Sequence, residues 1–280
     1  MNKYKWIILI LGGLLVLGLV IISITIKSKD WDGNNDYKLG IITDNEIELV
    51  SISFSRRMIN ILKVNGEVEM WIPEGLGWYR VDRVKKILDQ ENKASLANNL
   101  FFYNFGFTPD KILFLNSIDD WKKNSVFLQI VGVKNWIKFQ FNREDMMTKE
   151  EIIKKSLADD YPLLSEIMMR DFSDNRVLNE DLKVGIINTT NESGMATFLA
   201  DRMEWAGFSI ISTENSEKEV KNCLVEYGSE VENSFSYKIL GNLWNCEMKK
   251  NESLDNSEVE IYFGDGFAQM VKYSSYVRTL

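Results

Sequence analysis

The sequence predicts a mixed α/β (α+β) protein: an N-terminal transmembrane helix, an α/β domain, then a small βαββαβ sandwich. Three observations predict it. Residues 6–26 form an uncharged apolar run. Residues 39–72 hold β-rich runs broken by polar turns. From residue 183 onward, strand-like and helix-like patterns alternate in the order β-α-β-β-α-β.

The run at 6–26 contains only Ser23 and Thr25 as polar residues. At about 1.5 Å per residue it matches a hydrocarbon core of about 30 Å. Tyr4 and Trp6 sit where interfacial aromatics anchor a span. A cleaved signal peptide would carry a shorter apolar core and a small-residue cleavage site, which is absent near residues 23–36. Lys3 and Lys5 flank one side, Lys27 and Lys29 the other. A short tail before a first helix usually stays inside, so the expected topology is single-pass, N-terminus cytoplasmic and body extracytoplasmic. Residues 30–36 have a faint calcium-loop look, but the glycine stands at the wrong position and no glutamate closes the loop. They read as a solvated linker, giving an anchor and linker over 1–37.

Composition narrows the chemistry. The 280 residues carry 12% aromatics and three prolines, which fits packed cores rather than disorder. The net charge of −8 argues against a nucleic-acid partner. No histidine is present, so Ser-His-Asp and Cys-His catalysis and HExxH zinc sites are excluded.

In the first soluble region, 38–145, strands are expected at 39–43, 47–54, 58–64 and 68–72, with Asn65-Gly66 as a hairpin turn. A tight loop at 72–79 leads to helices at 81–88 and 94–103, the second ended by Gly106. Further strands are expected at 111–116, 126–131 and 136–141. Residues 146–180 read as a helical connector, with helices at 147–157 and 161–172 and a Thr148 to Glu151 capping box. Asp159 and Asp160 fit a helix N-terminus better than a metal site.

In 181–280, a strand at 183–188 meets a polar loop, a helix at 194–206 stopped by Gly207, strands at 208–212 and 223–227, a helix at 232–245 and a strand at 258–263. Gly264-Asp265-Gly266 reads as a plain turn. Cys223 begins a strand and Cys246 ends the helix returning beside it. A disulfide and two buried thiols both remain open.

These motifs carry a resemblance. Residues 72–88 (IPEGLGWYRVDRVKKIL) and 105–115 (FGFTPDKILFL) resemble a shortened catalytic domain of the LytR–CpsA–Psr family. Residues 184–211 and 259–267, with Asn188-Thr189-Thr190, Gly194-Met195-Ala196 and Gly207-Phe208, are similar to the C-terminal domain of LytR-type envelope proteins. The resemblance implies a phosphotransferase moving glycopolymer from a polyprenyl-pyrophosphate carrier to the cell wall. The family's strand-end arginine and aspartate fall here on Asn65 and Gly66, which supply neither a cationic donor nor a metal ligand. The expectation is therefore a divergent, non-catalytic binding or scaffolding member, with no catalytic residue, metal or cofactor. The transferase is the alternative. Expected partners are the bilayer and cell-wall glycopolymer or another envelope protein. Candidate ligand contacts are Arg80 and Arg83, which fit a phosphate or a solvated helix face, and Asn188, Thr189, Thr190 and Ser193 before a helix N-terminus, which fit an anion or a self-satisfied turn.

Overall fold

A computed structural model describes residues 13, 31, 35–90, 96–123, 145–154, 156–157, 161–255 and 258–271. The apolar run 6–26 lies outside them except for Gly13, as do the strands expected at 126–131 and 136–141 and the Asp159-Asp160 pair. Among the described residues no helix is long and apolar enough to cross a membrane.

The first sheet has the order β6-β1-β2-β3-β7. Strands β1 (Tyr37–Ile42), β2 (Glu46–Ser53) and β3 (Met58–Asn65) form an antiparallel meander, with β6 (Lys111–Phe114) and β7 (Met147–Ile153) added in parallel at the edges. Asn65-Gly66 turns the chain but does not close the expected hairpin, because β3 pairs with β2 and β7 and not with the strand that follows the turn; a Cβ on Gly66 would stand 2.3 Å from the Asn45 carbonyl oxygen. The segment expected as a loop at 72–79 is partly strand. β4 (Glu69–Ile72) and β5 (Gly77–Arg80) form a hairpin, with positive φ at Glu74, Gly75 and Gly77. Helices α1 (Val81–Gln90) and α2 (Leu96–Phe105) then close over the sheet, burying Val84, Leu88, Leu100 and Phe101.

Two expectations for the flanking segments fail. Residues 147–153 are a strand, not a capped helix. The charges that mimic a capping box find partners across the sheet edge instead: Glu150 pairs with Lys63 at 2.8 Å and Lys149 with Asp171 at 2.7 Å. Charged side chains also suit an edge strand, where they oppose pairing with another chain. The linker is not uniformly solvated either. Trp31 is 7% exposed, stacks on Tyr37 and Phe54 at 5.1 and 4.6 Å, and donates to the Asn35 carbonyl at 2.8 Å. Asp36 is buried against Arg56 and Asn175.

Helix α3 (Tyr161–Ile167) widens into a π-helical turn at Met168–Phe172, and α4 (Asn175–Glu180) follows with Asp174 as its N-cap. Within the polar stretch 173–180, residues 175–180 are thus helical. The second sheet has the order β11-β10-β12-β8-β9, from β8 (Lys183–Asn188), β9 (Ser209–Asn215), β10 (Cys223–Tyr227), β11 (Glu247–Lys250) and β12 (Glu258–Phe263). Helices α5 (Met195–Ala206) and α6 (Phe235–Trp244) match the expected pattern, and Gly207 ends α5 with φ 109°. β11 and α7 (Asp265–Val271) are additions to the predicted order. Gly264 sits where a Cβ would meet the Val220 carbonyl, and the chain enters α7 there rather than simply turning.

The halves share their cores. Trp71, Phe102 and Tyr103 pack with the second sheet's residues, while Trp205 of α5 packs into the first half. Arg202 is 1% exposed at this junction: its Nε donates to the Tyr103 carbonyl at 2.7 Å and its guanidinium lies 4.2 Å from the Trp205 ring. Gly106, with φ 58°, lets the chain pass beneath α5; a Cβ there would be 2.3 Å from the Arg202 carbonyl oxygen and 2.7 Å from Trp205 Cβ. Gly106→Ala should therefore destabilise the folded chain by more than about 1 kcal/mol, read as a lowered urea midpoint at unchanged slope. Gly241→Ala, where a Cβ meets nothing within 4 Å, is the control.

Candidate functional site

A row of polar residues crosses one face of the first sheet. Lys38, Ser51, Asn60 and Lys149 are consecutive register partners on β1, β2, β3 and β7. Strand alternation places them on the face that carries Leu49 and Leu62 in the apolar core. The π-helical turn covers the row: Asn60 Nδ2 donates to the Asp171 carbonyl at 3.2 Å and Lys38 Nζ to the Phe172 carbonyl at 2.7 Å.

At the β1 end the row becomes a buried charge cluster. Lys38 is fully buried, with Nζ 3.6 Å from Asp174 Oδ2. Arg176 grips the same carboxylate with Nε and Nη2 at 2.9 and 2.7 Å, and gives Nη1 to Asp110 Oδ1 at 2.8 Å. Asp110 Oδ2 accepts the Lys38 backbone N–H at 2.8 Å, closing the circuit. Burial pushes the Lys38 amine below its usual range, opposed by Asp174. Burial likewise raises Asp110, which Arg176 only partly offsets. At Asp174 burial is outweighed, and Lys38 and Arg176 hold the carboxyl below the usual carboxylate range.

The cluster backs a recess of about 210 Å³ between the 106–110 loop, α4 and α6, lined by Thr108, Asp110, Arg176, Phe235, Lys238 and Asn242 among others. Arg176 lies flat on Phe235, 3.8 Å from its ring centre. Thr108 Oγ1 is buried with no hydrogen-bond partner among the described residues. The recess is smaller than the roughly 300–1,000 Å³ of typical small-molecule sites. It has room for one small polar group, with Lys238 and Asn242 among its lining residues. Asp110 is committed to Arg176 and the β1 backbone, so among the described residues no free carboxylate lines the recess for proton transfer. Among the described residues no group of three acidic or cysteine side chains could hold a metal.

The residues singled out in the sequence lie elsewhere and are not brought together. Arg80 and Arg83 are 49% and 64% exposed and both engage Asp82, at 2.8 and 3.5 Å. The 188–193 loop is largely self-satisfied. Asn188 Oδ1 accepts from Thr190 N–H and Oγ1, its Nδ2 donates to the Glu192 carbonyl, and Thr189 Oγ1 donates to the Phe263 carbonyl. Ser193 makes no cap bond; Gly194, with φ 84°, is the N-cap of α5. Asn65 and Gly66 form a turn, with Asn65 Oδ1 accepting the Glu67 N–H. Cys223 and Cys246 are joined as a disulfide across β10 and the start of β11. The sequence offered one signal for the charge cluster, a lysine placed inside an otherwise apolar strand.

Asp174→Asn should cost about 3 kcal/mol or more, because it leaves the buried Lys38 amine without its carboxylate while Arg176 keeps Asp110. Lys38→Met should cost less, since Arg176 still satisfies Asp174. The depressed carboxyl gives a sign for pH. Asp174 contributes stability above the unfolded carboxyl pKa of about 3.9, and that contribution is lost as pH falls through its lower folded value. Urea titrations below pH 5 should show a shallower acid loss in Asp174→Asn than in the parent; Asp171 and Glu226, also depressed, keep some loss in both. Removing the disulfide with Cys223→Ala and Cys246→Ala together should cost about 3 kcal/mol for a loop of this length.

No family model and no curated protein matches the chain. Solved structures give weak similarities. One is the soluble domain of a conserved hypothetical secreted protein from Mycobacterium marinum, at 15% identity over 37% of this chain and 70% of that one, with a TM-score of 0.25. Another is TagT of B. subtilis, at 8% identity over 89% and 93% of the two chains, with a TM-score of 0.27. A third is the LytR-CPS2A-psr family protein YwtF (TagT) with bound octaprenyl pyrophosphate lipid, at 10% identity over 90% and 95%, with a TM-score of 0.26.

Proposed function

We propose that the chain is a single-pass membrane protein of the cell envelope whose body lies outside the cytoplasm and binds or scaffolds at the wall without catalysing transfer. The observation that carries this reading is the disulfide between Cys223 and Cys246 on a body that follows an uncharged span. Bonded cysteines belong to oxidising compartments, and the apolar run belongs in lipid. Two features support binding over chemistry. The positions where the LytR–CpsA–Psr resemblance asks for arginine and aspartate are Asn65 and Gly66 in a turn. Arg80 and Arg83, which stand beside that turn, engage Asp82 instead of converging on a cradle. Glycopolymer of the wall, rich in hydroxyls and phosphates, is the partner class suited to the small polar recess beside Lys238.

Four measurements test the proposal. After acid trapping of intact cells, a thiol mass tag should add nothing until the sample is reduced; labelling without reductant would remove the extracytoplasmic assignment. Alkaline carbonate should leave the chain in the membrane pellet. Detergent-solubilised chain should sediment with isolated wall, and Lys238→Glu should reduce that retention severalfold. Turnover of a polyprenyl-pyrophosphate-linked glycan with Mg²⁺, lost in Arg80→Ala or Arg83→Ala, would replace the binding reading with the transferase.

A further inference from the structure

We infer that the end of the body carrying the β2–β3 turn rests against the phospholipid headgroup layer, and that the short reach to Trp31 holds it there. This rests on the proposed membrane span. Trp31 is fixed to the body by stacking on Tyr37 and Phe54 and by its bond to the Asn35 carbonyl. Only residues 27–30 separate it from the end of the apolar run at Ile26. Fully extended, those five Cα-to-Cα steps cover at most about 18 Å. A body of this size is roughly 45 Å across, so the reach is less than half its width and keeps the Trp31 end as the one nearest the membrane.

The structure identifies which end is near. Trp31 lies against Tyr37, where β1 starts, and Phe54, where β2 ends. Phe54, Ser55, Arg56 and Arg57 therefore form the membrane-side turn, and Met147, 68% exposed, joins it through its N–H bond to the Arg57 carbonyl at 2.9 Å. The opposite turns, 43–46 and 65–67, stand at the other end of β2. Eight residues of strand put them about 24 Å away. Charge does not hold the contact. Arg56 is paired with Asp36, and Arg57 lies 4.0 Å from Asp145. The covalent reach sets the position, with Met147 as an apolar contact to the headgroup region.

The full-length chain, reconstituted into phosphatidylcholine–phosphatidylglycerol vesicles, tests this. The native cysteines are bonded, so a fluorophore can be placed on Ser55→Cys or on Glu67→Cys, both exposed positions. Headgroup spin-labelled lipid should quench the label at 55 severalfold more than that at 67, and raised salt should not change the ratio. A long Gly/Ser insertion after Lys29 should bring the two values together. Equal or reversed quenching in the uninserted chain, while it still resists carbonate extraction, overturns the orientation and leaves the anchor standing. An unchanged ratio after the insertion overturns the role of the short reach. Release of the chain by carbonate removes the anchor, and the orientation with it.

Discussion

The body depends on the circuit of Lys38, Asp174, Arg176 and Asp110, because its four side chains come from three separate stretches of chain. Lys38 belongs to β1, Asp110 precedes β6, and Asp174 and Arg176 open α4. A buried charge is tolerated only when paired, so none of these stretches can settle while another is missing. Isosteric apolar side chains would often be as stable. What the charges add is discrimination between ways of docking α4 against the sheet, since a shifted α4 would strand a lysine and an arginine in the interior. The same stretch ties the halves together on its other side: the Asp174 N–H bonds the Ala206 carbonyl and Ser173 Oγ the Trp205 carbonyl, both on α5.

The local periods in the sequence were informative wherever an element's own pattern decided its state. The meander β1–β3 and helices α2, α5 and α6 were legible because alternation and helical spacing agreed; the Asn65-Gly66 turn was misread as a hairpin because its second arm pairs elsewhere. β7 was not. Its run of Thr148, Lys149, Glu150 and Glu151 satisfies a helix-capping pattern locally, and only the partners Lys63 and Asp171, distant in sequence, make it a strand. β5 was hidden because Gly77 and Trp78 read as loop, and the strand exists only as the return arm of β4. The charge cluster, signalled only by the one lysine in β1, could not be read for a related reason. In a strand with one solvated face, a lysine between apolar neighbours points to water. Here both faces of β1 are covered, so Lys38 is buried among residues no local window contains. The residues nominated by the family resemblance, Arg80, Arg83 and the 188–193 loop, are engaged with their own neighbours.

Those nominations and the recess also separate in space. Asp82 donates its N–H to the Gly66 carbonyl, so Arg80 and Arg83 stand beside the 65–67 turn. The recess stands at the other end of the sheet. Asp110 accepts the Lys38 N–H near the start of β1, and Asn175, next to Arg176, bonds Asp36. Asp36 in turn follows Asn35, whose carbonyl holds Trp31. The recess and the docked linker are therefore within a few residues of one another, while the two arginines lie about a strand length, roughly 24 Å, away. If the short reach from the bilayer fixes the Trp31 end nearest the lipid, a group emerging from the headgroups meets the recess first and meets Arg80 and Arg83 only after crossing the sheet. An anion site at those arginines would have to serve something approaching from the wall side, whereas the recess is placed for something held near the membrane. One sheet thus keeps the two polar regions too far apart to act on a single small substrate.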